Sequence, residues 1–420
     1  YAFLLTCCLA ALIVGHNVTA ALFLPFLVAY VAVDAAVAWH GAARRRQVAA
    51  SALQAALAVL AALGLTAFFW LPALAERNLE QMDRLTLWSM FDYRLNFQRL
   101  GRTFSLPVLD DLHLLNRPIP FSLSLVSGLL ALCGVLGAWR WRPSRAQAAH
   151  LALAALAACA AVYMVLPDSA PVWALLPQLR VLQFPWRWLG IANAFLALPA
   201  GAALLALEGR TRCQRGLGAA ALPVLVCLLF AWVFSWQHVP VYHAQLGRLS
   251  IDDVVRFERE TVFVGTTTTG EYLPLTAKAY PPPQPDGEAY DRARLDPASL
   301  PASGEVLGAE YRPLDYTLSL DAPQPFVAVF RTLHFPGWRA WVDGAEAPIT
   351  PTDPYGLISV PVPAGRHTLR LRFGNTPVRT WANALSLASV AALLGAAALA
   401  VVRWRRTPTL PLRDGSIVGD

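Results

Sequence analysis

Charged side chains are scarce in this sequence: they make up 15% of its 420 residues, whereas 56% of the residues are hydrophobic. A soluble domain of ordinary composition carries about 25% charged residues. Several uncharged runs also reach the roughly 20 residues that a helix needs to cross a hydrocarbon core. We therefore expect an α-helical polytopic membrane bundle. Its seven full spans are predicted over 18–39, 47–70, 119–139, 147–166, 188–207, 216–236 and 381–402.

Cysteine is also sparse, and none of the six cysteines lies in a long polar loop. All of them fall in or beside predicted spans, namely Cys7, Cys8, Cys133, Cys159, Cys213 and Cys227. This distribution argues against a disulfide framework and against a zinc cluster. We interpret the cysteines as packing residues, since free cysteine is usually buried.

The sequence lacks an initiator methionine and the basic n-region of a signal peptide. Residues 1–14 form an apolar run that is too short for a full span. We interpret this run as the end of a truncated first helix, and we expect the chain to continue upstream.

Arginine clusters in the short loops between the predicted spans. The clusters are Arg44, Arg45 and Arg46; Arg140, Arg142 and Arg145; Arg210, Arg212 and Arg215; and Arg403, Arg405, Arg406 and Arg413. By the positive-inside rule these loops and the tail 403–420 are cytoplasmic, which places the loops 71–118 and 167–187 and the segment 237–380 outside the cytoplasm. The pI near 9.3 is then a consequence of membrane topology. We expect a bilayer as partner and no nucleic acid.

The order of predicted spans and loops divides the chain into three regions: a helical bundle over 1–236, an extracytoplasmic β-rich domain over 237–380 and a final span over 381–402. The expected location is the inner, cytoplasmic membrane of a bacterium. Both long loops of the bundle, and the β-rich domain, are expected to face outward, where recognition or chemistry would take place.

Alternation of apolar and polar residues predicts strands in the second half of the β-rich domain. In 366–373 the apolar residues recur at every second position, as in a half-buried strand. Further strands are predicted over 317–320, 326–332 and 338–342, with Asp343-Gly344 as a turn. An antiparallel sandwich-like packing is expected, because a lone hairpin is marginal in water.

Aromatic residues near the predicted strand 338–342 have two interpretations. Trp338 and Trp341, with Phe335, are candidates for a sugar-stacking platform. The alternative is that they fill the core of the sandwich or rest on the membrane surface, which is the more frequent use of aromatic side chains.

The loop 71–118 carries the group Asp110, Asp111 and His113. Adjacent carboxylates with a nearby imidazole suit a divalent cation or a general base. Turn capping and solvated charge are the favoured explanation of the same residues, because two carboxylates and one imidazole are a weak metal signature. A divalent cation is thus a candidate cofactor, and no defined metal site is predicted.

Two further candidates lie where outer loops meet spans. Arg187, within Gln-Phe-Pro-Trp-Arg-Trp at 183–188, has the charge and fork geometry to bind a lipid phosphate, and Arg180 is a second contributor. The alternative is an ordinary aromatic belt with a snorkelling arginine. His16 is a candidate for a lipid-phosphate or proton-transfer contact, or is part of a satisfied polar turn. Asp34 is interpreted as an interfacial ion-pair partner of the nearby arginines.

Several of these stretches resemble bacterial membrane proteins labelled 6-pyruvoyl-tetrahydropterin synthase-related, and the overlapping YfhO-like group. The resemblance is carried by Gly-His-Asn-Val-Thr-Ala-Ala-Leu at 15–22, Phe-Pro-Trp-Arg-Trp at 184–188, Phe-Pro-Gly-Trp-Arg-Ala-Trp-Val-Asp-Gly at 335–344 and Pro-Ala-Gly-Arg-His at 363–367. It implies a relation to GT-C glycosyltransferases, which use polyprenyl-phosphate sugars outside the cytoplasm. The pterin label is not supported, since the sequence has no three-histidine zinc cluster. The catalytic acid that the resemblance implies is expected upstream of Tyr1.

Two functions are consistent with these observations. The first is a GT-C-like glycosyltransferase, or an inactive relative, that takes a sugar from a polyprenyl-phosphate donor during cell-envelope glycan assembly. The second is a non-enzymatic envelope protein whose β-rich domain binds glycan or a protein partner. An acidic residue just after the first span would favour the first function.

Overall fold

A computed structural model describes most of the chain. The described residues are 2–40, 45–86, 91–105, 121–207, 270–280 and 294–406, together with isolated positions between 224 and 260. The predicted span 216–236 and the tail 407–420 lie outside these ranges, apart from positions 224 and 227.

The described residues form a mostly helical part and a separate antiparallel β-sheet domain. The helices are α1 (Ala2–Gly15), α2 (Asn17–His40), α3 (Arg45–Leu65), α4 (Ala67–Glu76), α5 (Leu100–Thr103), α6 (Leu125–Trp141), α7 (Arg145–Tyr163), α8 (Ala170–Leu175), α9 (Trp188–Leu207) and α10 (Pro377–Arg406). Short 3-10 helices connect several of them, including Pro177–Leu182 and Pro185–Arg187.

Four helices of the described residues are long and apolar enough to cross a membrane: α2, α3, α7 and the part of α10 that runs from Pro377 to Val402. Each coincides with a predicted span. Two other predicted spans also correspond to helices, the 17-residue α6 and the 20-residue α9. The prediction of a membrane protein is thus confirmed for four helices that are long and apolar enough to be spans.

One part of the bundle is assembled around α9, which packs against both α6 and α7. Gly134 of α6 makes this approach close, because a side chain there would meet the backbone at Pro199 and Ala203 of α9. Small residues at such crossings let apolar helices approach each other closely. A buried cluster that includes Trp173 and Ile191 continues from the α9 interface into the segment between α7 and α9.

The predicted span 47–70 is divided in the structure at Thr66, between α3 and α4. The break frees backbone groups that an uninterrupted helix would pair. Ser386 of α10 bonds to two of them: its Oγ accepts from Phe68 N at 2.9 Å and donates to Gly64 O at 3.1 Å. A helix break in an apolar environment requires such a partner, because unpaired backbone groups are costly there.

The β-sheet domain contains eight strands in two antiparallel sheets. They are β3 (Glu305–Arg312), β4 (Asp315–Ala322), β5 (Phe326–Leu333), β6 (Trp338–Val342), β7 (Ala345–Ala347), β8 (Thr350–Pro351), β9 (Leu357–Val362) and β10 (Gly365–Phe373). One sheet has the order β3-β4-β10-β6-β7 and the other β5-β9-β8. The two remaining strands, β1 (Phe104–Ser105) and β2 (Leu123–Ser124), form a short parallel pair in the bundle.

One apolar core lies between the two sheets of the domain. Leu318 and Leu371 from the larger sheet and Phe330 and Val360 from the smaller are fully buried in it. The predicted strands 317–320, 326–332, 338–342 and 366–373 are confirmed. Asp343 and Gly344 both have positive φ, of 50° and 83°, as a tight hairpin turn requires. The strands β3 and β9 were not predicted from the sequence.

A largely buried ion pair joins this domain to the bundle. Arg379, in the first turn of α10, donates from Nε and Nη2 to Glu76 Oε2 at 3.0 and 2.6 Å. Thr376 Oγ1 donates to the other carboxylate oxygen at 2.6 Å. The Arg379 guanidinium also lies over the Phe373 ring at the end of β10, 4.9 Å from its centroid. The Glu76 carboxylate at the end of α4 therefore fixes the connection between β10 and α10.

Candidate functional site

The candidate site is centred on Arg187, the last residue of the 3-10 helix Pro185–Arg187 that leads into α9. Proline at its first position presets the backbone for a helical turn. Arg187 N donates to Phe184 O at 3.1 Å and closes this turn. The segment thus places a guanidinium directly before an apolar membrane helix.

Aromatic rings form a stack beside Arg187. Phe121 and Trp186 are parallel within 3°, with 3.8 Å between ring centroids. Phe184 stacks on the same indole at 5.2 Å, and Phe91 contacts Phe184 edge-on at 5.9 Å. These four rings, from three separate segments, form a wall that we call the aromatic stack.

The Arg187 side chain is half-buried and lacks an acidic partner among the described residues. Its Nη1 donates to Leu182 O at 2.8 Å, and its Nη2 lies 3.4 Å from Gln183 Oε1. Its guanidinium lies 5.3 Å from the ring centroid of Phe184. Burial lowers the pKa of the Arg187 guanidinium, yet arginine stays charged at any physiological pH. An anion is the natural ligand for such a cation.

Gln183 supports the guanidinium from an uncommon backbone conformation. Its φ is 60°, and it ends the 3-10 helix Pro177–Leu182 with its N–H donating to Arg180 O at 3.0 Å. The side chain is buried. Positive φ at a non-glycine residue is uncommon and often marks a functional constraint.

No protein-family model matches this chain, and no curated protein matches its sequence. The assignment of the site therefore depends on its geometry.

The other candidates for phosphate binding have different surroundings. Arg180 is exposed, and among the described contacts no hydrogen bond or ion pair joins its side chain to Arg187. His16 lies in the turn between α1 and α2, where its Nδ1 accepts from Thr19 N at 3.1 Å. His16 therefore caps the first turn of α2. Its role in phosphate binding stays a prediction.

The candidates Asp110, Asp111 and His113 lie outside the described residues. The two ends of their segment are described. Ser105 pairs in register with Ser124, and Phe121 belongs to the aromatic stack. The end of this segment at Phe121 therefore adjoins the candidate site. No group of three potential metal ligands occurs within the described part of the chain.

The two candidate stacking tryptophans lie on opposite faces of β6. Trp338 points into the domain, where it contacts Tyr316 at 5.2 Å and Phe373 at 5.4 Å between ring centroids. Trp341 lies on the outer face, with the Arg339 guanidinium 5.4 Å from its centroid. A strand alternates its side chains, so positions three apart face opposite ways. The two tryptophans therefore do not form one platform.

Asp34 pairs differently from the sequence-based interpretation. Its Oδ1 lies 3.5 Å from His150 Nε2 of α7. Among the described residues it forms no ion pair with the arginines of the following loop. This helix-to-helix contact was missed because single histidines on apolar helices carry no sequence signal for their partner. The Glu76–Arg379 pair was missed because its residues are 303 positions apart, and nothing in the sequence links them.

Proposed function

We propose that this protein is a GT-C-like membrane glycosyltransferase, or an inactive relative, that binds a polyprenyl-phosphate sugar donor at the outer end of α9. One observation carries the proposal: Arg187 is a half-buried cation with no carboxylate partner among the described residues. A lipid phosphate supplies the missing negative charge, and its apolar tail matches the membrane location.

The chemistry of transfer fits such a site. The acceptor hydroxyl oxygen attacks the anomeric carbon, a carboxylate takes the hydroxyl proton, and the bond to the phosphate oxygen breaks. Charge then builds up on the leaving phosphate. A preorganised guanidinium at that position stabilises it in the transition state. Arg187 is the proposed phosphate contact, with Arg180 and His16 as further candidates.

The source of the carboxylate is a separate part of the proposal. The resemblance to GT-C enzymes implies a carboxylate just after the first membrane span. Asp110, Asp111 and His113 are the alternatives within this sequence, as a base or as ligands of a divalent cation. The position of Phe121 supports them, because the chain that follows these residues joins the aromatic stack there.

The test measures binding of a polyprenyl phosphate to the full chain in nanodiscs. Arg187→Gln removes the charge, and we expect affinity to fall roughly 10–100-fold, as for one charge-assisted hydrogen-bonded pair. Arg187→Lys is expected to retain part of the affinity. Arg339→Gln, an exposed arginine of the β-sheet domain, is the matched control, and thermal unfolding checks that each variant folds.

The glycosyltransferase proposal fails if Arg187→Gln and Arg339→Gln bind the polyprenyl phosphate equally well. Comparison of envelope glycans from cells that carry each variant provides the second readout. A loss of donor binding without any change in glycans would identify an inactive relative.

A non-enzymatic envelope protein is the second candidate. It is favoured by the outer face of β6, where Trp341 is stacked by Arg339 and accessible at the sheet surface. An indole at such a position can stack on a sugar ring. Loss of glycan binding in Trp341→Ala, together with unchanged donor binding in Arg187→Gln, would favour this function over glycosyl transfer.

A further inference from the structure

A second site lies about 20 Å from Arg187, toward the other end of α9, given the helical rise between positions 187 and 201. There a cavity of about 630 Å³ opens between α2, α7 and α9, beside the end of α6. Its lining is mainly alanine and leucine, with Tyr30, Trp141, His150 and Phe195. Small-molecule sites commonly occupy about 300–1,000 Å³.

One buried nitrogen atom at this cavity, Trp141 Nε1, has no hydrogen-bond partner within the described part of the chain. The indole nitrogen only donates, so it requires an acceptor. The two nitrogens of His150, in contrast, both have neighbours: Nδ1 lies 2.8 Å from Ala146 O, and Nε2 lies 3.5 Å from Asp34 Oδ1. A buried donor without an acceptor is costly, which points to an oxygen-bearing ligand in the cavity.

The acidic residue nearest to this cavity among the contacts described is Asp34. Asp34 approaches His150 Nε2 at 3.5 Å but lines a separate cavity of about 190 Å³ between α2 and α3. Tyr30 lines both cavities. Asp34 is not among the residues that line the larger cavity, and its carboxylate adjoins that cavity through His150.

Positive charge surrounds the same end of the bundle. Arg140, Arg142 and Arg145 are exposed, and none has a carboxylate within 4.0 Å among the residues that the structure describes. Arg142 ends α6 in the left-handed conformation with φ of 50°. The three arginines alternate in the chain with Trp141, Ala146 and Gln147, which line the cavity.

We propose that this cavity binds one phospholipid with an anionic headgroup. One acyl chain fills the apolar cavity, the Trp141 indole N–H donates to an oxygen of the headgroup or glycerol ester, and Arg142 and Arg145 bind the phosphate. Basic pockets between membrane helices recognise anionic lipids in this way. The site is independent of the proposed donor site at Arg187, which lies at the opposite end of α9.

Native mass spectrometry of the full chain, loaded with phosphatidylglycerol or phosphatidylcholine of equal chain length, tests the proposal. We expect preferential retention of one phosphatidylglycerol. Trp141→Phe keeps the ring and removes the donor, and should weaken retention roughly 5–10-fold, the effect of one buried hydrogen bond. Trp139→Phe is the matched control, since Trp139 lies on the same helix with 93% exposure.

Charge is tested by the double variant Arg142→Gln/Arg145→Gln, with Arg366→Gln/Arg372→Gln on the β-sheet domain as a control of equal net charge. We expect roughly 10–30-fold weaker retention of phosphatidylglycerol in the first variant only. Equal retention of both lipids by the unmodified chain would overturn the proposal, as would equal effects of Trp141→Phe and Trp139→Phe. Thermal unfolding of each variant separates a lost lipid site from a lost fold.

Discussion

Among individual residues, His367 on β10 has an unusual pair of partners. Its Nδ1 lies 2.6 Å from Asp343 Oδ2, and its Nε2 lies 3.1 Å from Ala364 O. Both partners are acceptors, so only the doubly protonated ring satisfies both contacts. The Asp343 carboxylate and the Ala364 carbonyl therefore raise the pKa of His367. The backbone N–H of Thr368 and the His367 ring lower the pKa of Asp343.

The pair predicts a pH window for the stability of the β-sheet domain. The contribution of His367 is complete below its ordinary pKa of 6.5 and is lost as pH rises through its raised value. The contribution of Asp343 is complete above its ordinary pKa of 3.8 and is lost as pH falls through its lowered value. Thermal unfolding of the full chain across pH, compared with Asp343→Asn, should show the largest difference between these two values.

Asp343→Asn is a suitable variant because asparagine tolerates the positive φ at this turn. His334 provides an internal control, since burial lowers its pKa. In an NMR titration His334 should therefore lose its proton before His367 as pH rises. The opposite order, or a stability difference between the two proteins that does not change with pH, would contradict this interpretation.

At the scale of elements, the break between α3 and α4 depends on α10. Gly64 O and Phe68 N have their partner in Ser386, 322 and 318 residues away in the sequence. Ser386 is buried. A conformation that is local to residues 64–68 is thus stabilised by the last helix of the chain.

Ser386→Ala should destabilise the bundle by about 1–2 kcal/mol, because two backbone groups in an apolar environment lose their partner. Ser389→Ala is the matched control, one turn further along α10, because the Ser389 hydroxyl donates to Leu385 O of its own helix. Thermal unfolding in detergent measures both variants. Equal effects would show that the break does not depend on Ser386.

The Glu76–Arg379 pair is a second link between elements, and its side chains are only 13% and 18% exposed. Arg379→Met should cost about 1–3 kcal/mol, because it leaves a largely buried carboxylate without its cation, and a fully buried pair would cost more. Arg339→Met is the control, since the Arg339–Glu346 pair is 59% and 55% exposed and its loss should change little. Unfolding by denaturant measures the free energy of unfolding of both variants. A similar decrease in both would mean that the Glu76–Arg379 pair contributes no more than an exposed pair.

At the scale of the whole molecule, the arginine loop at 140–145 and the β-sheet domain occupy separate parts of the structure. Their placement on opposite sides of a membrane is a prediction from the positive-inside rule. The orientation of the chain in the membrane determines on which side the proposed donor site at Arg187 and the proposed lipid site at Trp141 would lie.

Single cysteines test this orientation in a cysteine-free variant of the protein. Ser303→Cys, before β3, and Ser144→Cys, before α7, are both at exposed positions. In intact cells a membrane-impermeant maleimide should label position 303 and leave position 144 unlabelled until the cells are permeabilised. Labelling of position 144 in intact cells, with protection of position 303, would reverse the predicted topology.

The sequence by itself determined four helices long enough to cross a membrane and four strands of the β-sheet domain. Apolar runs predicted α2, α3, α7 and α10, because a hydrocarbon core imposes a minimum length on a helix. Alternation predicted β6 and β10, because a sheet with one buried face requires a period of two. Such patterns are local, and they are visible without knowledge of any contact.

Only the tertiary structure decided which side chains have partners. Arginine has the same formal charge at 187, 339 and 379, yet Arg379 is neutralised by a buried carboxylate, Arg339 by an exposed one, and Arg187 by none within the described residues. The break at Thr66 and the two opposite faces of β6 likewise depend on packing between distant segments. These features follow from which surfaces meet, and residues far apart in the chain determine that jointly.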